Sequence, residues 1–186
     1  MVAEQHPVNT PSAEPNAASA RTHVYITRSS EETIALGREL AIMLTPPKML
    51  VLRGDLGAGK TTLVKGIAAA FGAAEPEEIT SPTFALIHEY AGRAKFVDTR
   101  AQNAPMNADG DANHTSLPVR LYHLDVYRIE GQRQLNTLGM EELLTPESIV
   151  LVEWGEKFPW IVAHSQGEIS IHALHGDERK ITLSLR

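Results

Sequence analysis

Among the features of this chain, the run Gly54-Asp55-Leu56-Gly57-Ala58-Gly59-Lys60-Thr61 leaves the fewest folds open. Its spacing, Gly, four residues, Gly-Lys-Ser/Thr, is that of a loop built to hold phosphate, and its flanks supply the context such a loop requires. Met49-Leu50-Val51-Leu52 reads as a buried strand leading in, and Leu63, Ile67, Ala70 and Phe71 recur at helical spacing leading out. Glycines let the backbone curl round an anion without interference from Cβ, so that successive N–H groups and the positive end of the following helix face phosphate oxygens. Gly54, Asp55, Leu56, Gly57, Ala58 and Gly59 are therefore the expected cradle, with Lys60 as a movable charge at the terminal phosphates. Thr61 is the expected magnesium-side hydroxyl, and Thr62 is the next hydroxyl along, within reach of an inner phosphate. The bland alternative is a glycine-rich turn that merely joins a strand to a helix.

Strand, loop and helix in that order predict an α/β fold: a mixed β-sheet flanked by helices, of the P-loop NTPase kind. The 186 residues fit one domain with a tail. Residues 1–21 carry Pro7, Pro11 and Pro15 among Ala, Ser, Asn and Glu, too little apolar material to offset the entropy of ordering, and are expected to be disordered. Residues 22–186 are the expected single domain. Lys and Arg total 17 against 23 Asp and Glu, a net charge of −6, which argues against a protein whose main contact is a nucleic-acid backbone. The absence of cysteine removes disulfides, thiolate metal sites and a cysteine nucleophile. No apolar run approaches the roughly 18 residues of a membrane span, and the N-terminus lacks a secretory pattern. A soluble cytoplasmic protein with no membrane contact is expected.

Around the central unit the chain alternates strand and helix signals. His23-Val24-Tyr25-Ile26-Thr27 has strand composition, and Ser29 with Glu32 three residues on forms a capping-box signature for a helix carrying Leu36, Leu40 and Met43. After the phosphate-loop helix, Thr80-Ser81-Pro82-Thr83 clusters hydroxyls just before a strand expected over Phe84–Tyr90. Such a loop is either a switch segment that senses magnesium or the terminal phosphate, or an ordinary turn with local hydroxyl bonds. Residues 92–118 are polar and aperiodic and read as a mobile loop inserted at a hairpin tip, with Val119–Asp125 as the return strand. Asp125 ends that strand, where a carboxylate either holds magnesium, usually through water, or caps the next turn.

A helix is expected over Gln132–Leu144, interrupted at Gly139, and Ile149-Val150-Leu151-Val152-Glu153-Trp154 reads as a central buried strand. Because ligands in open α/β sheets collect at the carboxyl ends of strands, the phosphate loop, Asp125 and Glu153 are candidates for one site, with Glu153 to orient or deprotonate water. Trp154 is either a core residue or a stacking surface for a base or a partner. Ile169, Ile171 and Ala173, a Gly176-Asp177 turn, then Ile181, Leu183 and Leu185 predict a C-terminal antiparallel hairpin. His88 and His123 are expected on neighbouring strands, as packed histidines in preference to metal ligands.

Four segments in this order, Gly54 to Thr62, Thr80-Ser81-Pro82-Thr83-Phe84, Leu121-Tyr122-His123-Leu124-Asp125-Val126-Tyr127-Arg128 and Glu153-Trp154-Gly155-Glu156, resemble the TsaE family. The resemblance runs from about residue 24 to the C-terminus. It implies a bacterial ATPase that binds ATP and Mg2+ and works with TsaB and TsaD in the threonylcarbamoyladenosine modification of tRNA, with TsaC supplying the activated intermediate. Contact with tRNA would be indirect, through that complex, and the isolated chain would be a monomer or weakly self-associating. The resemblance further implies nucleotide and metal contacts at Lys60, Thr61 and Thr62, a switch-like role for Thr83 and a magnesium-side role for Asp125. It makes Glu153 catalytic beside Lys60 and Thr83, and Trp154 a contact on the nucleotide or partner side. The chain departs from the family pattern in its polar tail and in the 92–118 segment, longer than the family's usual hairpin connection.

Two other functions use the same loop. A small-molecule kinase would want an acceptor pocket and a lid with several arginines, and the one long loop offers only Arg93 and Arg100. A nucleotide-dependent binding switch would bind and display nucleotide with little hydrolysis. Arg128 lies near Asp125 in sequence, but no internal arginine finger is evident.

Overall fold

The computed structural model describes residues 21–97 and 114–186. In chain order these form β1 (Arg21–Thr27), α1 (Ser30–Ala41), β2 (Lys48–Arg53), α2 (Lys60–Ala70), β3 (Ile87–Val97), β4 (His114–Asp125), α3 (Gln132–Asn136) and β5 (Ser148–Glu153). A 3-10 turn (Gly155–Lys157), α4 (Pro159–His164), β6 (Gly167–Ala173) and β7 (Arg179–Leu185) follow. The strands join one sheet in the order β1-β7-β6-β2-β5-β4-β3. β2 runs parallel to β5 and β6, and β5 parallel to β4, whereas β3, β7 and β1 are antiparallel to their neighbours.

A strand that is apolar on both faces must be covered on both, and the central strands are. Leu50, Leu52, Leu121, Ile149 and Leu151 pack with Leu36, Leu40, Leu63 and Ile67 of α1 and α2. On the opposite face Met49, Val51, Leu124, Val150 and Val152 meet Leu135 of α3, Met140, Phe158 and Ile161 of α4. Parallel β2, β4, β5 and β6 therefore end on one edge, and register sets Leu52 beside Glu153 and Glu153 beside Asp125. The sequence pattern thus becomes a geometric statement: the phosphate loop and both carboxylates share one edge of the sheet.

Helix α1 starts as its sequence predicts, with the Ser29 hydroxyl accepting from the Glu32 N–H at 3.1 Å. The Glu32 carboxylate reaches back to the Arg28 N–H at 2.7 Å, one residue earlier than in a reciprocal capping box. Two interior glycines let α1 and α2 touch backbone to backbone. A Cβ on Gly37 would lie 2.4 Å from Leu63 O, and one on Gly66 2.0 Å from Ile34 O. Each glycine costs the helix about 1 kcal/mol of propensity, and the close crossing it permits anchors α2, whose N-terminus carries the site.

Several sequence-based boundaries move. β3 begins at Ile87, not Phe84, because the Leu86 N–H donates to Pro82 O at 2.6 Å and Leu86 takes φ 67°, closing a turn that leaves Phe84 83% exposed. The helix expected over Gln132–Leu144 stops at Asn136. Gly139 sits at φ 61°, and the chain continues as turns to Thr145. Strand pairing runs outward past the expected hairpin ends, joining Gly92 to Val119 and continuing to Val97 opposite His114. The outer parts of the expected 92–118 loop are thus paired strand, while residues 98–113 lie outside the described residues. The tail expected over 1–21 also lies outside them except for Arg21, which opens β1. α4 has no counterpart in the sequence reading, since six residues are too few to show a helical period. The C-terminal hairpin pairs Gly167–Ala173 with Arg179–Leu185 as the alternation predicts.

Candidate nucleotide site

The loop between β2 and α2 has the backbone its glycines foretell, with Gly54, Gly57 and Gly59 at φ 150°, 79° and 107°. At Gly54 a Cβ would also lie 2.4 Å from Ile171 O, so β6 presses directly on the start of the loop. Gly59 is the N-cap of α2 and offers no side-chain acceptor. The first helical bond is Leu63 N–H to Gly59 O, so the N–H groups of the first turn remain available to an anion. Leu56 stands at the rim, 82% exposed, and Ala58 turns into the core beneath. Lys60 is buried, its Nζ donating to Gly54 O at 2.8 Å and Asp55 O at 3.0 Å, which holds the ammonium at the neck of the loop.

The two strand-terminal carboxylates take different partners. Glu153 Oε1 accepts from the Thr61 hydroxyl at 2.8 Å and from His123 Nε2 at 2.9 Å, while its Oε2 lies 3.8 Å from Lys60 Nζ. Asp125 Oδ2 accepts from Thr83 Oγ1 at 2.5 Å and Ser81 Oγ at 3.1 Å, and its Oδ1 accepts from the Tyr127 N–H at 2.9 Å. Asp125 therefore does cap the turn that follows its strand, and it also ties down the hydroxyl loop.

Except for the fully buried His123, these groups line a cleft of about 400 Å³ together with Gly57, Gly59, Thr62, Arg128 and Trp154. Trp154 leaves β5 at φ 63°, a strained conformation for a bulky residue, and this turns its ring toward the loop. Lys60 Nζ lies 4.4 Å from the centre of that ring, and the Tyr127 ring 5.0 Å away at 48°. Arg128 is stacked on Phe84 at 4.3 Å. Lys157 pins the loop after β4, donating to Tyr127 O at 2.6 Å and Ile129 O at 3.1 Å. The arrangement fits a polyphosphate: open backbone N–H groups, a held ammonium and a concave wall. It fits a hard divalent cation too, because the Thr61 hydroxyl hydrogen is committed to Glu153 and its lone pairs are left for metal.

The family model for threonylcarbamoyl adenosine biosynthesis protein TsaE matches residues 27–102 and 111–181 of this chain. The chain belongs to the TsaE family. The tRNA threonylcarbamoyladenosine biosynthesis protein TsaE of Treponema pallidum is 31% identical over 159 residues, spanning 86% of this chain and 98% of its own length. TsaE of Bacillus subtilis is 34% identical over 158 residues, 85% of this chain and 82% of its own. TsaE of Nostoc sp. is 35% identical over 151 residues, 80% and 75% respectively. The crystal structure of Bacillus subtilis YdiB has the same fold, with a TM-score of 0.57 at 29% identity, covering 91% of this chain and 88% of that one. The TsaE family is a nucleotide-binding family of tRNA threonylcarbamoyladenosine biosynthesis.

Sequence reasoning named Lys60, Thr61, Thr62, Thr83, Asp125, Glu153 and Trp154, and all seven line this one cleft. It did not foresee Ser81 and Tyr127 as Asp125 partners, Lys157 as a clamp, or His123 as a partner of Glu153. His88 and His123 are paired across β3 and β4 as expected, but His88 Nδ1 is bonded to the Tyr90 hydroxyl at 3.2 Å and His123 Nε2 to Glu153. The link from His123 to Glu153 was within reach of the sequence, since both stand on one strand face near a carboxyl edge. It needed the knowledge that β4 and β5 are neighbours.

Proposed function

We propose that this chain binds Mg-ATP in the cleft, hydrolyses it slowly alone, and works in the cytoplasm with TsaB and TsaD in the threonylcarbamoyladenosine modification of tRNA, coupling hydrolysis to turnover of the partner complex. The observation that carries this reading is the convergence of Lys60, Thr61 and Glu153 in one cluster at the phosphate loop, with Lys60 and Glu153 buried. Phosphoryl transfer asks for positioning and charge neutralisation above all. The loop N–H groups and Lys60 bind and orient the phosphates. Thr61, with Asp125 at the same edge, would hold the cation, which would supply charge neutralisation at the transferring group. Glu153 has one saturated oxygen, Oε1, and its Oε2 is the atom available to orient or accept a proton from water. Trp154 would lie along the nucleotide or be shared with a partner. Within this reading the kinase alternative gains nothing, because Arg93 is spent on Ser116 across the hairpin, at 2.9 Å to both its hydroxyl and its carbonyl oxygen.

A second reading, the nucleotide-dependent switch, is favoured by one observation: Thr83 is bonded to Asp125 while the adjoining Phe84 projects into solvent. A change at the metal side would therefore be displayed at the surface. Phosphate release by the purified chain, with and without TsaB and TsaD, together with co-elution in ATP, ADP or no nucleotide, separates the two. Hydrolysis stimulated by the partners supports coupling. Nucleotide-dependent co-elution with no phosphate release supports the switch alone, and fast release that is indifferent to the partners counts against coupling.

A further inference from the structure

The proposed chemistry gives a task to each polar side chain that touches Glu153 except His123. This residue stands on β4, two positions before Asp125, and is fully buried in the layer between the sheet and α2. Its Nε2 lies 2.9 Å from Glu153 Oε1, and because a carboxylate only accepts, Nε2 must carry the hydrogen. Its Nδ1 is buried without a hydrogen-bond partner. Leaving a buried polar atom unpaired is unfavourable; the register partner of His123 on β5, Leu151, is aliphatic, and its partner on β3, His88, is bonded to Tyr90 instead. A leucine at 123 would avoid that cost. The imidazole has one interaction to show for it, the bond to Glu153.

That bond changes what Glu153 can do. With Thr61 Oγ1 at 2.8 Å and His123 Nε2 at 2.9 Å, both lone-pair positions of Oε1 are filled, and Oε2, 3.8 Å from Lys60 Nζ, is the oxygen left toward the phosphate loop. The terminal torsion of a glutamate is broad and roughly two-fold, so a carboxylate held by one donor can tilt or exchange its oxygens, whereas two donors on one oxygen fix its plane. Thr61 reaches Oε1 from α2 and His123 from β4, on either side of the strand end that bears Glu153. We propose that His123 is a positioning residue for hydrolysis: it locks Glu153 with Oε1 saturated and Oε2 alone facing the bound phosphates. This inference rests on the hydrolysis reading above.

The test compares phosphate release and ADP affinity, the latter by calorimetry, in the full chain and its variants. His123→Leu keeps volume and loses the donor. His123→Gln can place an amide N–H near the position of Nε2, whereas the shorter His123→Asn cannot. A misplaced catalytic group costs about 10- to 100-fold in rate. His123→Leu and His123→Asn are therefore expected to lose about tenfold or more in kcat, with the dissociation constant for ADP and KM within about threefold of the parent. His123→Gln should recover most of the rate, and in a Glu153→Gln background His123→Leu should cost nothing further. If His123→Leu does not fold, the Gln and Asn pair carries the comparison. A parent-like kcat in His123→Leu, equal rates for Gln and Asn, an undiminished penalty in the Glu153→Gln background, or a rate loss matched by lost ADP affinity would each overturn the role. A parent chain that releases no phosphate with or without partners overturns the hydrolysis reading and this role with it. Parent turnover beside an unaffected His123→Leu overturns this role alone.

Discussion

Glu153 and Asp125 are register neighbours at the ends of adjacent parallel strands, both nearly inaccessible to solvent, yet they are held by opposite kinds of structure. The Glu153 partners, Thr61 and His123, come from α2, packed on the sheet and α1, and from β4, buried on both faces of the sheet. The side-chain partners of Asp125, Ser81 and Thr83, come from a loop with no ladder of its own that ends in an exposed Phe84 and a Leu86 at φ 67°. One carboxylate is bolted to the helix and strand scaffold, and the other is tied through two hydroxyls to a loop that pairs with no strand until Ile87. Elements with few buried contacts open at lower free energy than the core, so the two halves of the cleft are suited to different tasks, fixed chemistry on one side and a readable state on the other.

The comparison breaks most visibly on the rigid side. Glu153→Gln keeps an acceptor for Thr61 and His123 but removes the base, and hydrolysis should fall about 10²- to 10³-fold with the nucleotide dissociation constant within a few fold. Undiminished steady-state phosphate release would remove Glu153 from the reaction. Lys60→Ala deletes the held ammonium, and since hydrogen bonds to charged groups contribute about 1.5–3 kcal/mol, calorimetry should show nucleotide affinity weaker by about 10- to 100-fold. Unchanged affinity there would sink the phosphate-loop assignment itself.

Smaller effects test the other side. Thr83→Val removes the 2.5 Å bond to Asp125 and leaves Ser81. At about 1–1.5 kcal/mol for such a bond, amide exchange at Phe84 to Leu86 should speed up by about five- to tenfold while exchange in β5 stays as it was. Equal acceleration in both places would mean that the loop and the rigid half are one cooperative unit. Phe84→Ala touches only an exposed ring and Arg128, so stability should change by less than about 1 kcal/mol and basal phosphate release by less than about twofold. Its signature should be weaker nucleotide-dependent co-elution with TsaB and TsaD, and co-elution at the parent level would show that Phe84 is not part of what a partner reads.

The sequence misled in two places, the hydroxyl loop and the segment after α3. Phe84 to Leu86 has strand composition, and the Pro82 carbonyl bond that turns it out of the sheet leaves no trace in periodicity. The Leu135, Leu138, Leu143 and Leu144 pattern resembles a long helix, but Gly139 in the left-handed region lets those side chains cover the sheet from a short helix and a run of turns instead. Both are cases of tertiary contact overriding a local pattern. The strand, loop and helix of the phosphate site read correctly because the glycine spacing and the two periodicities are local properties that need no partner.

The sequence by itself determined the phosphate loop, the alternation of strands and helices around it, the terminal hairpin and the set of residues at the strand ends. Only the tertiary structure decided who is bonded to whom. Thr61 and Glu153 are 92 residues apart, Thr83 and Asp125 42, and His123 and Glu153 30. Such pairings depend on strand order and register, which arise when two faces of one sheet are buried at once and which no local stretch of the chain encodes. The same packing turned His123 from a strand histidine into the hidden partner of a candidate catalytic carboxylate.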